Sequence, residues 1–140
     1  MQLNTQTLIA YENDRAVFQT KISSGIATAK RNPGDLSTRT PVGEFRIISK
    51  YPSKHMGNGS LFATTDDYEL PGVPWTSFFH EAGYPFHGTY RHDNFGVPMS
   101  RGCINMRRPE AKWLFQWMRP LHQQDRVYTA GNGTRVVIVP

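Results

Sequence analysis

The amino-acid sequence predicts a mainly β domain with one clear helix, arranged as a sandwich or a partly open barrel. Several short runs alternate apolar and polar residues, which is typical of half-buried strands. Glycine and proline contribute 12 and 10 of the 140 residues, and so turn-rich a chain does not suit a helical bundle. Three Trp, six Tyr and eight Phe supply large side chains for a core. The length suits one domain, so we assign residues 1–140 to a single domain.

The predicted strands begin with a hairpin over residues 7–11 and 16–22, two β-rich runs around a turn that contains Asn13 and Asp14. Residues 43–50 alternate over their first half and predict a third strand. Further strands are predicted at residues 76–79, 83–87, 126–129 and 134–139, the last two paired around a Gly-Asn-Gly turn.

Two long segments, residues 24–40 and 51–75, carry many turn-forming residues, and we predict loops there. Loops of such length in a compact domain are often functional lids. The helix is predicted from Pro109 to about Met118, because Pro suits the first helical position and Glu110 suits the positive end of the helix dipole. One face of this helix, which we interpret as core packing, carries Ala111, Trp113, Leu114, Trp117 and Met118.

The chain is basic, with a formal net charge of +5, which is compatible with an anionic partner but does not identify one. No apolar run approaches the roughly 18–20 residues that span a bilayer. The N-terminus lacks the basic start and the apolar stretch of a signal peptide. These features predict either a cytosolic protein or a fragment whose targeting segment lies elsewhere.

The single cysteine, Cys103, has no partner for an internal disulfide and is a candidate nucleophile. A thiol needs a base or a positive neighbourhood for activation, and His87 could be that base because it precedes a glycine at a predicted strand end. Arg101 adds positive charge beside the thiol. Gly102 allows close approach of a substrate, and the N–H groups of Gly102 and Cys103 could form an oxyanion hole.

Other interpretations of these residues stay open at this point. A lone cysteine is often a small buried apolar residue. The histidines and the cysteine are spaced too irregularly for a metal site, so we expect neither a metal nor another cofactor. We interpret His92 as a solvated loop residue, whereas His55, beside Tyr51 and Met56, could contact a substrate.

Three segments resemble the L,D-transpeptidase catalytic domain, also called the YkuD domain. The family signature is a His, a variable loop, then Ser or Thr, commonly His, Gly-Cys, an apolar residue and Asn or Arg. Here it corresponds to His87-Gly88-Thr89 followed by Ser100-Arg101-Gly102-Cys103-Ile104-Asn105. Residues 40–45 resemble the family's Thr-Pro-x-Gly-x-Phe segment, and residues 53–57 resemble its loop over the active site.

The resemblance implies a β-sandwich of mixed sheets with one short helix after the catalytic cysteine. It also implies that Cys103 is the nucleophile and His87 the general base, oriented by the backbone carbonyl of Gly88. The remaining implied site residues hold the oxyanion, shape the turn or bind substrate, and they are Gly102, Ser100, Asn105, Tyr51, His55 and Met56. Arg101 stands where many members carry His, so His87 alone would serve as base.

The implied activity is transfer of a peptidoglycan stem tetrapeptide, held as a thioester on the cysteine, to the amine of a second stem, giving a 3→3 cross-link. Donor and acceptor stems are then the partners, carbapenem β-lactams are expected inhibitors, and neither nucleic acid nor a membrane span is expected. A monomer is expected. Cross-linking occurs in the cell envelope, outside the cytoplasmic membrane, which suggests a domain excised from a longer exported protein.

Two alternatives stay open. A carboxypeptidase or endopeptidase would hydrolyse the same stems with the same Cys/His pair. A non-catalytic domain would bind an anionic polymer through basic pairs such as Lys30-Arg31 and Arg107-Arg108.

Overall fold

The computed structural model describes residues 1–27, 37–57, 69–120 and 133–140. Within these ranges the chain forms eight strands and one helix. In order, they are β1 Thr7–Glu12, β2 Arg15–Lys21, β3 Gly43–Arg46, β4 Ser49–Gly57, β5 Glu69–His80, β6 Tyr84–Gly88, β7 Ile104–Met106, α1 Arg108–Trp117 and β8 Arg135–Ile138.

The strands form mixed sheets, which confirms the predicted mainly β class. Strands β1 and β2 form a hairpin, β3 pairs with β8, and a four-stranded sheet has the order β4-β5-β6-β7. Only the β6–β7 pair in this larger sheet is parallel. The hairpin prediction is confirmed, since Asn13 and Asp14 adopt positive φ values of 47° and 63°, as residues at the centre of a tight hairpin turn do.

The predicted strand over residues 43–50 is wrong in its extent, because the chain changes partners in the middle. Strand β3 ends at Arg46, and the fully buried Ile47 donates its N–H to Thr134 O at 3.0 Å. The next residue, Ile48, donates instead to Phe78 O at 2.8 Å, and β4 then continues along β5. Two neighbouring apolar residues thus mark the crossing from one sheet to the other.

The predicted loop over residues 51–75 is also wrong, since all of its described residues belong to β4 or β5. Tyr51 lies opposite Thr76, and Ser53 opposite Pro74. Prolines are tolerated here because β4 is an edge strand and β5 pairs with β6 only from Ser77 onward. The missing proline N–H groups therefore interrupt no second ladder.

At the C-terminus, β8 confirms the predicted strand over residues 134–139. It pairs antiparallel with β3, with Val137 opposite Glu44. The predicted strand at residues 126–129 and most of its Gly-Asn-Gly turn lie outside the described residues. Pairing between segments some ninety residues apart is not visible in local sequence patterns.

Helix α1 confirms the predicted helix and packs against β5 and β6. Ala111, Leu114 and Phe115 are buried, although Phe115 was absent from the predicted face. Trp113 is only partly buried and stacks on Phe18, with the ring centroids 4.3 Å apart. The C-terminal end is held by the buried Lys50, whose Nζ donates to Met118 O at 2.6 Å.

The core lies between the larger sheet, the helix and the smaller sheets. Phe86, Ile104 and Met106 are buried in it. Backbone bonds join β7 to the chain beyond β2, since Ser23 and Asn105 exchange N–H···O bonds of 2.9 Å. This arrangement fixes the parallel β6–β7 pair, which carries the predicted chemistry.

Candidate active site

The parallel pairing of β6 and β7 brings the predicted base beside the strand that Cys103 directly precedes. His87 lies opposite Asn105, and Phe86 opposite Ile104. Successive side chains on a strand point to opposite faces, so His87 and Asn105 share the face that Phe86 does not use. Cys103 lies in the turn before β7, two residues before Asn105. The thiol and the imidazole are not hydrogen-bonded to each other in this structure, since Nε2 of His87 has no hydrogen-bond partner among the described residues.

His87 is held as a neutral imidazole with one nitrogen available. Its side chain is 2 % exposed, and Nδ1 lies 3.0 Å from the carbonyl oxygen of Gly88. A carbonyl only accepts hydrogen bonds, so Nδ1 carries the proton and Nε2 carries the lone pair. Nε2 is buried and has no hydrogen-bond partner among the described residues. Burial lowers the pKa of His87 to about 4, although the Gly88 carbonyl opposes this shift.

The turn that carries the thiol is closed by the hydroxyl of Ser100. Its Oγ accepts the N–H of Gly102 at 3.1 Å and donates to the carbonyl oxygen of Cys103 at 2.5 Å. Gly102 adopts φ +109°, and a Cβ there would lie 2.4 Å from Cε1 of Tyr84. Tyr84 in turn donates its hydroxyl hydrogen to Ser37 O at 2.8 Å. The turn is therefore fixed from within by a serine and from outside by an aromatic ring that sequence reasoning did not identify.

These contacts leave only one of the two predicted N–H donors available for the oxyanion hole. The Gly102 N–H is already bonded to Ser100 Oγ, so it does not point at a substrate oxygen in this structure. The N–H of Cys103 remains, and it lies beside its own sulfur, where it acts to lower the pKa of the thiol. Burial has the larger effect and raises the pKa of Cys103 to about 11. At neutral pH the site therefore holds a neutral thiol and a neutral imidazole.

A second imidazole lies at the site, which corrects the interpretation of His92 as a solvated loop residue. His92 is partly buried, and its Nε2 lies 2.9 Å from Nδ2 of Asn105. Its ring centroid is 5.3 Å from that of Phe95, and its charge acts to lower the pKa of His87. Sequence reasoning missed this contact because nothing in the thirteen-residue spacing between His92 and Asn105 indicates that the loop folds back.

The other predicted substrate-binding residues lie farther from the β6–β7 pair. Tyr51, His55 and Met56 are on β4, which β5 separates from β6. Residues 53–57, expected as a loop over the site, belong to this strand. Arg101 is exposed on the same turn as the thiol.

A polar cavity of about 370 Å³ opens beside His92. Its lining includes Arg91, Arg107 and Arg108, of which Arg107 pairs with Glu110 at 3.4 Å. Three guanidinium groups against the one carboxylate of Asp93 give the lining a net positive charge, which favours anionic groups.

Two kinds of feature are absent from the residues that the structure describes. No group of three or more His, Cys, Asp or Glu side chains there is placed to hold a metal ion. None of the helices in this part of the chain has the length and apolar character needed to cross a membrane.

The pKa directions predict how the thiol reacts with pH. His87 is neutral above about pH 5, so base-assisted alkylation of Cys103 by iodoacetamide is expected to have a flat rate from about pH 6 to pH 9. In the H87Q variant the rate should instead rise about tenfold per pH unit, as for an unassisted thiol below its pKa. A wild-type rate that titrates near pH 6 would contradict a neutral pair, because it would indicate a thiolate stabilised by an imidazolium.

Comparison with known proteins agrees with the fold and identifies the family. The family model for the YkuD L,D-transpeptidase catalytic domain matches residues 1–138. A putative L,D-transpeptidase YkuD of Bacillus licheniformis is 32% identical over 143 residues, covering 100% of this chain and 64% of that protein. A putative L,D-transpeptidase YqjB of Bacillus subtilis is 29% identical over 126 residues, covering 87% of this chain and 62% of that protein. The chain thus spans just under two thirds of the length of these curated relatives.

Among solved structures, the L,D-transpeptidase LdtMt1 in complex with imipenem superposes with a TM-score of 0.70. The superposition covers 99% of this chain and 56% of that one at 21% identity, and at such identity it supports the fold alone. The sequence match carries the assignment further, because it spans nearly the whole chain. The chain belongs to the L,D-transpeptidase catalytic domain (YkuD) family.

Proposed function

We propose that this domain is a cysteine-dependent L,D-transpeptidase that joins peptidoglycan stem peptides through 3→3 cross-links. The observation that carries this proposal is the state of His87, whose Nδ1 is tied to Gly88 O while Nε2 is buried without a described partner, on the strand paired with the one that Cys103 precedes. Family membership supplies the substrate class.

In the acylation step, Nε2 of His87 takes the proton from Sγ of Cys103 as the sulfur attacks the carbonyl carbon of the third residue of the donor stem. The oxygen of the tetrahedral intermediate accepts a hydrogen bond from the N–H of Cys103. Collapse of the intermediate breaks the amide bond to the terminal D-alanine. The leaving amine takes the proton back from the imidazolium of His87.

In the transfer step, the side-chain amine of a second stem attacks the thioester, and Nε2 of His87 accepts the proton that the amine loses. The sulfur leaves and takes this proton from Nε2 of His87, which restores the neutral pair. The three arginines of the polar cavity, Arg91, Arg107 and Arg108, support a substrate that carries carboxylates. Peptidoglycan lies outside the cytoplasmic membrane, so we place this activity in the cell envelope, within a longer exported protein.

The first test is acylation of Cys103 by imipenem. Intact-mass spectrometry of the wild-type domain is expected to show one covalent adduct, located at Cys103 by peptide mapping. The matched control is the C103A variant, which lacks the only sulfhydryl of the chain and should remain unmodified. Absence of the wild-type adduct, or an equal adduct on C103A, would contradict the proposed nucleophile.

The same thioester can also be hydrolysed, and its products decide between transfer and hydrolysis. Incubation with purified disaccharide-tetrapeptide is expected to yield cross-linked dimers by mass analysis. Shortened stems without dimers would replace the transferase by a carboxypeptidase that uses the same two residues.

A further inference from the structure

Thr40 makes two hydrogen bonds that tie the thiol-bearing turn to the preceding part of the chain. Its side chain is 1 % exposed. The hydroxyl accepts the N–H of Gly25 at 2.9 Å and donates to the carbonyl oxygen of Gly102 at 2.8 Å. A hydroxyl has one hydrogen to donate, so this donor is fully committed to the Gly102 carbonyl.

The bond to Gly102 acts on the peptide group that the reaction needs. The carbonyl oxygen of Gly102 and the N–H of Cys103 belong to one planar trans peptide, so they point in opposite directions. Fixing the oxygen with Thr40 therefore fixes the direction of the Cys103 N–H. The two bonds of Ser100 Oγ reach the Gly102 N–H and the Cys103 carbonyl, which belong to the peptides on either side.

The turn needs such an external restraint because Gly102 supplies none. A glycine with φ +109° has no side chain to limit rotation of its ψ angle, and that rotation would swing the following N–H. The segment that carries Gly25 lies directly against the turn, since a Cβ on Gly25 would be 2.7 Å from Cα of Gly102. Thr40 thus links two backbone segments that already touch.

We propose that Thr40 is a positioning residue for acyl transfer, which holds the Gly102–Cys103 peptide so that the Cys103 N–H faces the developing oxyanion. This inference rests on the proposed function, in which that N–H stabilises the intermediate. Thr40 touches neither the substrate nor the sulfur in this scheme and acts only through the peptide.

The test compares two reactions of the same thiol in the T40V and T40S variants. Acylation by imipenem places negative charge on a carbonyl oxygen, whereas alkylation by iodoacetamide proceeds by displacement at a saturated carbon and forms no oxyanion. Valine keeps the shape of threonine without the hydroxyl, and serine keeps the hydroxyl. T40V is expected to lose about 10- to 100-fold in the acylation rate, as for a displaced catalytic group, but less than about threefold in the alkylation rate.

T40S is expected to restore acylation to within about threefold of wild type, which a purely steric role of the side chain would not predict. T40A serves as a second variant that removes the hydroxyl without placing a methyl group against the Gly102 carbonyl, and it should resemble T40V. Equal losses in the two reactions, or unchanged acylation in T40V and T40A, would overturn the inference. Lack of imipenem acylation in the wild-type domain would instead overturn the proposed function.

Discussion

The H87Q variant is expected to acylate with imipenem about 10²- to 10⁴-fold more slowly than wild type, the range that a positioned general base contributes. The pKa of Cys103 is raised to about 11 by burial, so almost none of the thiol is ionised at neutral pH without help. His87 is the base that supplies this help, because its pKa is lowered to about 4 and its Nε2 keeps a lone pair. Stopped-flow or mass-resolved acylation rates at pH 7 measure the loss.

Glutamine at position 87 can still place an N–H near the Gly88 carbonyl, so the fold should tolerate the change better than an apolar replacement would. The matched control is H92Q, which removes the other imidazole of the site. The acylation rate of H92Q is expected to fall by less than about tenfold, since His92 is bonded to Asn105 and lies on a loop rather than on β6. If the acylation rate of H92Q fell as far as that of H87Q, both imidazoles would be required for removal of the thiol proton, and His87 would not be the sole base.

The β1–β2 hairpin and helix α1 were predicted correctly because short-range sequence signals determine them. The β1–β2 hairpin depends on Asn13 and Asp14, which tolerate positive φ, and the start of α1 depends on Pro109. Most of β4 and the first part of β5 were missed because Pro52, Pro71 and Pro74 normally end a strand. A proline is tolerated in a strand where its missing N–H would not have bonded to a neighbouring strand. This depends on the arrangement of the sheet, which local sequence does not show.

The candidate site shows the same difference between features set by neighbouring residues and features set by tertiary packing. Cys103 and His87 were singled out because a glycine-flanked cysteine after a histidine is a readable pattern, and the bond from Nδ1 of His87 to Gly88 O joins neighbouring residues. Thr40 reaches Gly102 across 62 residues, and His92 reaches Asn105 through a folded loop. Such contacts are made by tertiary packing, so residue types alone do not indicate them. The residues proposed to react could be named from the sequence, whereas the long-range contacts of Thr40 and His92 could not.

The G102A variant is expected to lose about 2–4 kcal/mol of unfolding free energy and more than about 10² in the acylation rate. The backbone contributes one part of the cost, because φ +109° is a conformation that residues with a side chain rarely adopt. Steric overlap contributes the rest, since the new Cβ would lie 2.4 Å from Cε1 and 2.9 Å from Cδ1 of Tyr84. Tyr84 resists moving because its hydroxyl is bonded to Ser37 O and its ring contacts His80.

The matched control for this variant is G96A, which separates the two costs. Gly96 also has a positive φ, +104°, but a Cβ there would meet no atom within 4 Å. G96A should therefore show the backbone cost alone, about 1–2 kcal/mol by chemical denaturation, with acylation within about threefold of wild type. Because the overlap in G102A involves one ring, the additional change Y84L should recover part of its acylation rate, measurable as a double-mutant coupling. If G102A and G96A had equal stability and equal acylation rates, the Tyr84 ring would move aside without an energetic cost. The ring would then not restrain the turn that carries the thiol.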